Sequence, residues 1–271
     1  MSLARLLQFA PRGAHRVVDR EYLVVVCESD ASAIRAVLPH PLVADGSNTV
    51  QLRFIATRDP AGAGSYMETS LIIPAVFDGA AVDFTAQRYA DEDLAVLAGS
   101  IERTRAWPRQ PGRTRMLFTR ETASAVLEVA GRAVVLAEMG HGKYGAMNDA
   151  TGACSPRLAR RLLAETQVNL KREPATGERA VVAQLIGVGV QQVRVKSAWS
   201  GTARLHRSGA ELAPIAHFPL KGVVGGFNFV ADVTLARAEV LFDYRHEARR
   251  PVSSVLAQLA HGLAPRMQEV A

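Results

Sequence analysis

The chain has 271 residues, a formal net charge of +6 and a pI near 9.7, with 48% hydrophobic residues and 21 glycines. That length supports a sizeable core in one domain, and no linker or repeat divides it. The positive charge is spread rather than clustered, which argues against a nucleic-acid partner, and no stretch approaches the about 20 apolar residues of a membrane span.

Along the chain, Met1 to Arg16 is too short and too interrupted by arginine and proline for a signal peptide. Tyr22 to Val26 is a β-branched apolar run, and Ser29 or Asp30 can cap a helix from Ala31 to Leu38 that stops at Pro39. Strands are predicted over Val50 to Ala56, Tyr66 to Phe77, Ala81 to Tyr89, Arg115 to Thr119, Ala125 to Val129, Ala133 to Met139, Val168 to Arg172, Ala180 to Val195 and Ser200 to Leu205. Many short strands punctuated by Gly and Pro predict a β-rich α+β fold, a closed or double-layered antiparallel sheet with flanking helices. After Pro251, Val252, Val255, Leu256, Leu259 and Leu263 recur at helical spacing, so 245–271 reads as a helical extension. Cys27 and Cys154 are far apart, which predicts a reducing, cytoplasmic setting without structural disulfides.

Several motif readings fail. The seven histidines form no HxH or HExxH pair, so no metal site is expected. Gly187 and Gly189 lack the third glycine of a dinucleotide fingerprint, and Gly140 to Gly145 lacks the GK[ST] ending of a phosphate loop. Lysine occurs only at 143, 171, 196 and 221.

Five segments carry a resemblance to a known family. They are Asp19-Arg20-Glu21-Tyr22, Gly64-Ser65-Tyr66-Met67-Glu68-Thr69, Trp107-Pro108-Arg109-Gln110, Ala198-Trp199-Ser200-Gly201-Thr202, and Ala231-Asp232-Val233 with Arg237 to Asp243 and Tyr244. In order and spacing, over about residues 17–244, they resemble the acetoacetate decarboxylase family. The resemblance implies a single domain over 1–271 with a cone-shaped β-barrel, no cofactor, and a homo-oligomeric assembly. It also implies an active-site loop whose first lysine forms a Schiff base with the substrate ketone. Here that position is Arg109, followed by Gln110.

Arginine cannot take the lysine's role. Its guanidinium stays protonated to above about pH 12 and grips carboxylates and enolates instead of adding to ketones. By the same resemblance Arg20 matches a pocket arginine and Glu68 one of two pocket glutamates, while Arg53 or Ile55 stands where the second would be. Gln87 and Arg88 fall near apolar positions of the family, and Trp107 is placed to wall the cavity. The expected function is therefore a cofactor-independent lyase, dehydratase or cyclase acting on an oxo acid or β-dicarbonyl of polyketide type. Arg109, Glu68 and Arg20 would be catalytic, and Trp107, Gln110, Gln87 and Arg88 would bind the substrate. The rival expectations are a non-catalytic binding protein on the same scaffold, or a true decarboxylase whose amine has moved to Lys143.

Overall fold

A computed structural model of the chain describes residues 14–59, 64–91, 110–140, 162, 166–173, 182–209, 211–244 and 248–249. Trp107, Arg109, Lys143, Cys154 and the expected helix after Pro251 lie outside the described residues. The strands are β1 (His15–Ser29), β2 (Val43–Ala44), β3 (Thr49–Asp59), β4 (Gly64–Phe77), β5 (Ala80–Ala90), β6 (Gln110–Pro111), β7 (Arg113–Phe118), β8 (Thr122–Val129) and β9 (Arg132–Gly140). They continue as β10 (Thr166–Glu173), β11 (Val182–Val188), β12 (Val190–Gly201), β13 (Ala203–Arg207), β14 (Leu220–Leu235), β15 (Glu239–Asp243) and β16 (Ala248–Arg249). Short helices occupy Ala31–Val37 and Pro214–His217.

The strands form a 12-stranded sheet, ordered β12-β14-β1-β3-β4-β5-β10-β11-β15-β16 with β2 on β4 and β6 on β5, and a 4-stranded sheet ordered β13-β9-β8-β7. The double layer is therefore present, but two expected features are not. Among the described residues the large sheet is open from β12 to β16, and it is mixed, because β10 and β6 both run parallel to β5. The second difference follows from connectivity: the chain leaves β5, builds most of the small sheet and returns beside β5 in the same direction, as a crossover requires.

Two cores explain why the central strands read as unbroken apolar runs. Leu23, Val25 and Cys27 of β1 join Leu52, Phe54, Leu71, Ile73, Val82 and Phe84 against Leu127, Val135, Ala137 and Met139 of the small sheet. The alternate residues Tyr22 and Val24 turn to the other face and pack with Ile55, Ala198, Phe229 and Ala231. Tyr22 and Phe229 stack with ring centroids 4.7 Å apart, a pairing that adds about 0.5–1.5 kcal/mol to the burial of the rings. Cys27 is a free, buried thiol, and burial pushes it up to about 11 against the pull of Arg207, so it is inert at neutral pH.

The strand forecast holds for β3 to β5 and β7 to β10 with ends shifted by a few residues; it lacked the short β2 and β6 and differs later. The run Ala180 to Val195 is two strands broken at Gly189, and Ser200 to Leu205 is the end of β12 plus most of β13. The longest strand, β14, was not foreseen, because Gly222, Gly225 and Gly226 and the exposed Val223 and Val224 remove its alternation. Asp30 is the N-cap of the first helix by position, without a side-chain cap bond. Its carboxylate pairs instead with Lys221.

Gly226 lies where the two sheets come into close contact. A Cβ there would lie 2.8 Å from Ala203 Cβ and 3.0 Å from Met139 Cγ, both on the small sheet. Gly226→Ala is expected to cost about 1–3 kcal/mol through overpacking, read as a lower urea midpoint at unchanged slope; an unaltered midpoint would show that the sheets are not in contact there.

Candidate active site

The geometry starts from a β-bulge in β1. Val17 faces Val233 and Arg20 faces Ala231, so three steps on β1 oppose two on β14; the same excess appears against β3, where Val18 faces Arg58 and Glu21 faces Ala56. Asp19 sits in the bulge with φ 52°, a left-handed conformation that aspartate tolerates better than most residues. Its backbone N–H donates to Asp232 Oδ1 at 3.0 Å. Lys196 Nζ bridges the Asp19 and Asp232 carboxylates, the latter at 2.7 Å, and Arg16 adds a contact to Asp232 at 3.5 Å. Burial works to raise the Asp232 carboxyl, but the bond from Lys196, the Asp19 N–H and the charges of Lys196 and Arg16 outweigh it and hold it below its ordinary value.

The bulge reverses the alternation of β1. Val17 and Tyr22 both enter the second core, Val18 is exposed, and Arg20 is turned inward and buried. Arg20 Nε donates to Thr57 Oγ1 at 3.1 Å, one Nη donates to Glu68 Oε1 at 3.3 Å, and the guanidinium carbon lies 5.4 Å from the Tyr22 ring centroid. Burial opposes the Arg20 charge, but Tyr22, Tyr66 and Glu68 outweigh it and hold the guanidinium above its ordinary value.

Glu68 is set by the registers of β3, β4 and β5, which place Ile55 on one side of it and the small Ala90 on the other. Its second oxygen, Oε2, accepts from Arg88 Nη2. Arg88 reaches this face through another bulge. Leu71 pairs with Gln87 and Ile72 with Thr85, leaving Ala86 as the extra residue. Arg20, Glu68 and Arg88 thus form a buried triad in which two guanidiniums hold one carboxylate. Its formal sum is one positive charge.

The remaining expected residues are placed differently. Gln87 is turned to the opposite face, where its Oε1 accepts from the Tyr89 hydroxyl at 3.0 Å; Tyr89 belongs to the core between the sheets, and burial pushes its phenol up to about 12. Gln110 pairs with Tyr89 at the edge of β5, and Gly112 N donates to Ala90 O at 3.1 Å, so the chain returns next to the Glu68 row. Trp107 and Arg109 are not among the described residues. Both Arg53 and Ile55 share the face of Glu68, and Arg53 pairs with Asp83, a buried residue on β5. Sequence reading passed over Thr57 and Asp83. For Asp83 the available signal was a lone acid inside a run otherwise suited to a strand core.

Comparison with known proteins bears on this arrangement. Residues 7–245 match the family model described as "Acetoacetate decarboxylase (ADC)". The acetoacetate decarboxylase of Clostridium acetobutylicum is 31% identical over 238 residues, covering 86% of this chain and 91% of that one. A solved structure from structural studies of acetoacetate decarboxylase superposes with a TM-score of 0.75 at 29% identity, covering 86% of this chain and 91% of the other. The enduracididine biosynthesis enzyme MppR, complexed with the condensation product of pyruvate and imidazole 4-carboxaldehyde, shares the fold at a TM-score of 0.68 and 18% identity, over 86% of this chain and 91% of its own.

Two predictions follow from the geometry. Glu68→Gln removes the carboxylate that the two buried guanidiniums share and is expected to cost about 3–5 kcal/mol of stability. Adding Arg88→Met should recover part of it. Urea unfolding of the single and double variants checks this, and a double variant no more stable than Glu68→Gln would show that the two residues are uncoupled. For the bulge, the lowered Asp232 carboxyl means that its stabilisation is fully present above about pH 4 and is lost as pH falls through its value in the folded protein. The stability gap between wild type and Asp232→Asn should be flat from pH 5 to 8 and shrink steadily toward pH 2; a gap independent of pH would contradict the assignment.

Proposed function

The chain belongs to the acetoacetate decarboxylase family, and we propose that it is a small-molecule enzyme of lyase type that acts on an oxo acid or β-dicarbonyl compound without a lysine Schiff base. The observation that carries the reading is the buried Arg20–Glu68–Arg88 triad with its excess positive charge. In a site shielded from water, fixed cations stabilise developing negative charge far more than they would in solvent. That arrangement suits a substrate carboxylate and an enolate oxygen.

In the proposed chemistry Arg20 and Arg109 grip the substrate's carboxylate and carbonyl oxygens, and Glu68 moves a proton. Thr57 and Glu68 take Nε and one Nη of Arg20, and Tyr22 also bonds the guanidinium, so a ligand oxygen reaches it by displacing one of these partners. Glu68 with both oxygens held by arginine is a weak base. An arriving carboxylate that draws one guanidinium away frees a Glu68 oxygen to take the proton from the carbon between the two carbonyls. The electron pair then rests on the carbonyl oxygen, where the arginines hold it as an enolate. From an enolate formed by proton removal, loss of a β-hydroxyl as water or ring closure onto a second carbonyl is open; in a decarboxylation the pair of the broken carbon–carbon bond forms the enolate directly as CO2 leaves, and Glu68 has no proton to remove. The MppR complex with a pyruvate-derived condensation product supports the view that this fold accommodates oxo-acid chemistry beyond decarboxylation.

Arg109 enters through the family resemblance. It directly precedes Gln110, whose pairing with β5 lies one strand from Glu68. Trp107 and Gln110 would line the approach, and Arg88 would bind substrate from the triad. The reading also takes the protein as a cytoplasmic homo-oligomer. The rival with a relocated amine requires Lys143; unchanged decarboxylation of acetoacetate by Lys143→Ala would dismiss it.

The experiment is intact mass after borohydride treatment with a panel of 2-oxo and 3-oxo acids, comparing wild type with Arg109→Lys, alongside turnover of Arg109→Ala. The expected outcome is labelling of Arg109→Lys alone and at least a tenfold loss of turnover in Arg109→Ala with the fold intact. That loss corresponds to about 1.4 kcal/mol of transition-state stabilisation. A labelled wild type would return the iminium mechanism and sink the proposal. Ligand binding with no product over long incubation would identify a binding protein instead.

A further inference from the structure

Beside the triad, on the same face of the large sheet, lies a second polar cluster that the chemistry above does not use. Arg53 Nε donates to Gln51 Oε1 at 2.9 Å, and Arg53 Nη2 pairs with Asp83 Oδ2. Thr85 follows Asp83 by two residues on β5, on the face opposite Val82 and Phe84, which enter the core between the sheets. On β10, Val168 enters that same core and pairs with Phe84, so Asn169 is turned the other way and falls beside Thr85. Arg53, Asp83, Thr85 and Asn169 are all more than nine-tenths buried.

Among the described residues, five polar atoms in this cluster are buried without a hydrogen-bond partner: Arg53 Nη1, Asp83 Oδ1, Thr85 Oγ1, and both Asn169 Nδ2 and Oδ1. Native interiors rarely leave such atoms unmatched, because each forfeits its bonds to water and regains nothing. Their chemistry is mixed. Arg53 Nη1 and Asn169 Nδ2 donate, Asp83 Oδ1 and Asn169 Oδ1 accept, and the Thr85 hydroxyl does either. The charge is balanced, since Asp83 neutralises Arg53. The position is contiguous with the triad, because Arg53, Ser70 and Arg88 lie in one row across β3, β4 and β5.

We propose that this cluster is a second substrate subsite, which receives a neutral group able both to donate and to accept, a hydroxyl or carboxamide, at the far end of an oxo acid whose carboxylate lies at the triad. The inference rests on the oxo-acid reading above. A methyl terminus would leave all five atoms unpaired. A second carboxylate would meet Asp83 Oδ1 with like charge and could not donate. The site therefore selects a hydroxylated or amidated chain over plain acetoacetate and over a dicarboxylate. Sites built to bond a hydroxyl reject the analogue that lacks it much more strongly than apolar pockets reject an added methylene.

The test is calorimetric binding of three freshly prepared acids that differ only at the terminus: 6-hydroxy-3-oxohexanoate, 3-oxoheptanoate and 3-oxoadipate. Wild type is expected to bind the hydroxy acid at least tenfold more tightly than the methyl-terminated acid and than the dicarboxylate. Thr85→Val and Asn169→Leu should bring the hydroxyl preference below threefold while changing the affinity for 3-oxoheptanoate by less than threefold. Thr85→Ser, which restores the hydroxyl in a chain that folds as wild type, should keep the preference. Equal binding of the hydroxyl and methyl acids, or a preference that survives both apolar variants, would overturn the subsite in favour of a cluster satisfied by water and leave the oxo-acid reading standing. If wild type binds none of the three, the oxo-acid reading itself falls, and the subsite assignment falls with it.

Discussion

The site depends on one extra residue in β1. A regular strand would place Val17, Asp19 and Glu21 on one face and Val18 and Arg20 on the other, and no local propensity would correct that. The bulge at Asp19 carries the alternation from Val17 to Arg20 instead. Its left-handed backbone is held from outside β1, by the Asp232 carboxylate of β14 and the Lys196 ammonium of β12. β12 carries a matching bulge against β14, where Gln191 faces Thr234 and Arg194 faces Asp232. An ion cluster on the rim thereby decides which side chain of β1 reaches the interior. Bulges commonly serve to re-aim a side chain in this way.

The second bulge, at Ala86, acts on Arg88 in the same manner. Without it, Arg88 would follow Phe84 and Ala86 into the apolar core between the sheets, and Gln87 would face Glu68. With it, the guanidinium meets Glu68, and Gln87 is left to Tyr89. The triad is thus assembled from three strands whose registers are fixed by large buried residues on their opposite faces, among them Leu23, Val25, Leu71 and Tyr89. Apolar packing against the small sheet supplies the rigidity, and the polar face inherits its precision.

This division also explains what could be read from the sequence. The strands from Val50 to Met139 were legible because β-branched and aromatic residues crowd between Gly and Pro breaks. Arg20 and Glu68 were legible only through family resemblance, since nothing in the spacing of a lone arginine and a lone glutamate 48 residues apart indicates a shared face. Choosing Arg88 over its neighbour Gln87 required the position of a bulge, which no period-two pattern reveals. β14 escaped notice for the opposite reason. Its first half carries Gly222, Gly225 and Gly226 beside the exposed Val223 and Val224, so it lacks the alternation by which strands are recognised; of the three glycines, Gly226 lies against Ala203 and Met139. Arg53 and Asp83 form a pair only because β3 and β5 flank β4, a topological fact with no local signal.

Membership of a family fixes the scaffold more firmly than the chemistry. An amine nucleophile must be neutral to attack, so its surroundings need low polarity or a neighbouring cation that the pocket can tolerate. Here the interior holds Arg20, Arg53 and Arg88, all buried, with Glu68 shared between Arg20 and Arg88 and Asp83 paired with Arg53. Fixed cations of that kind stabilise oxyanions well. On the proposed reading, the arginine at position 109 and the polarity of β3 and β5 point the same way, toward a site that manages negative charge on oxygen.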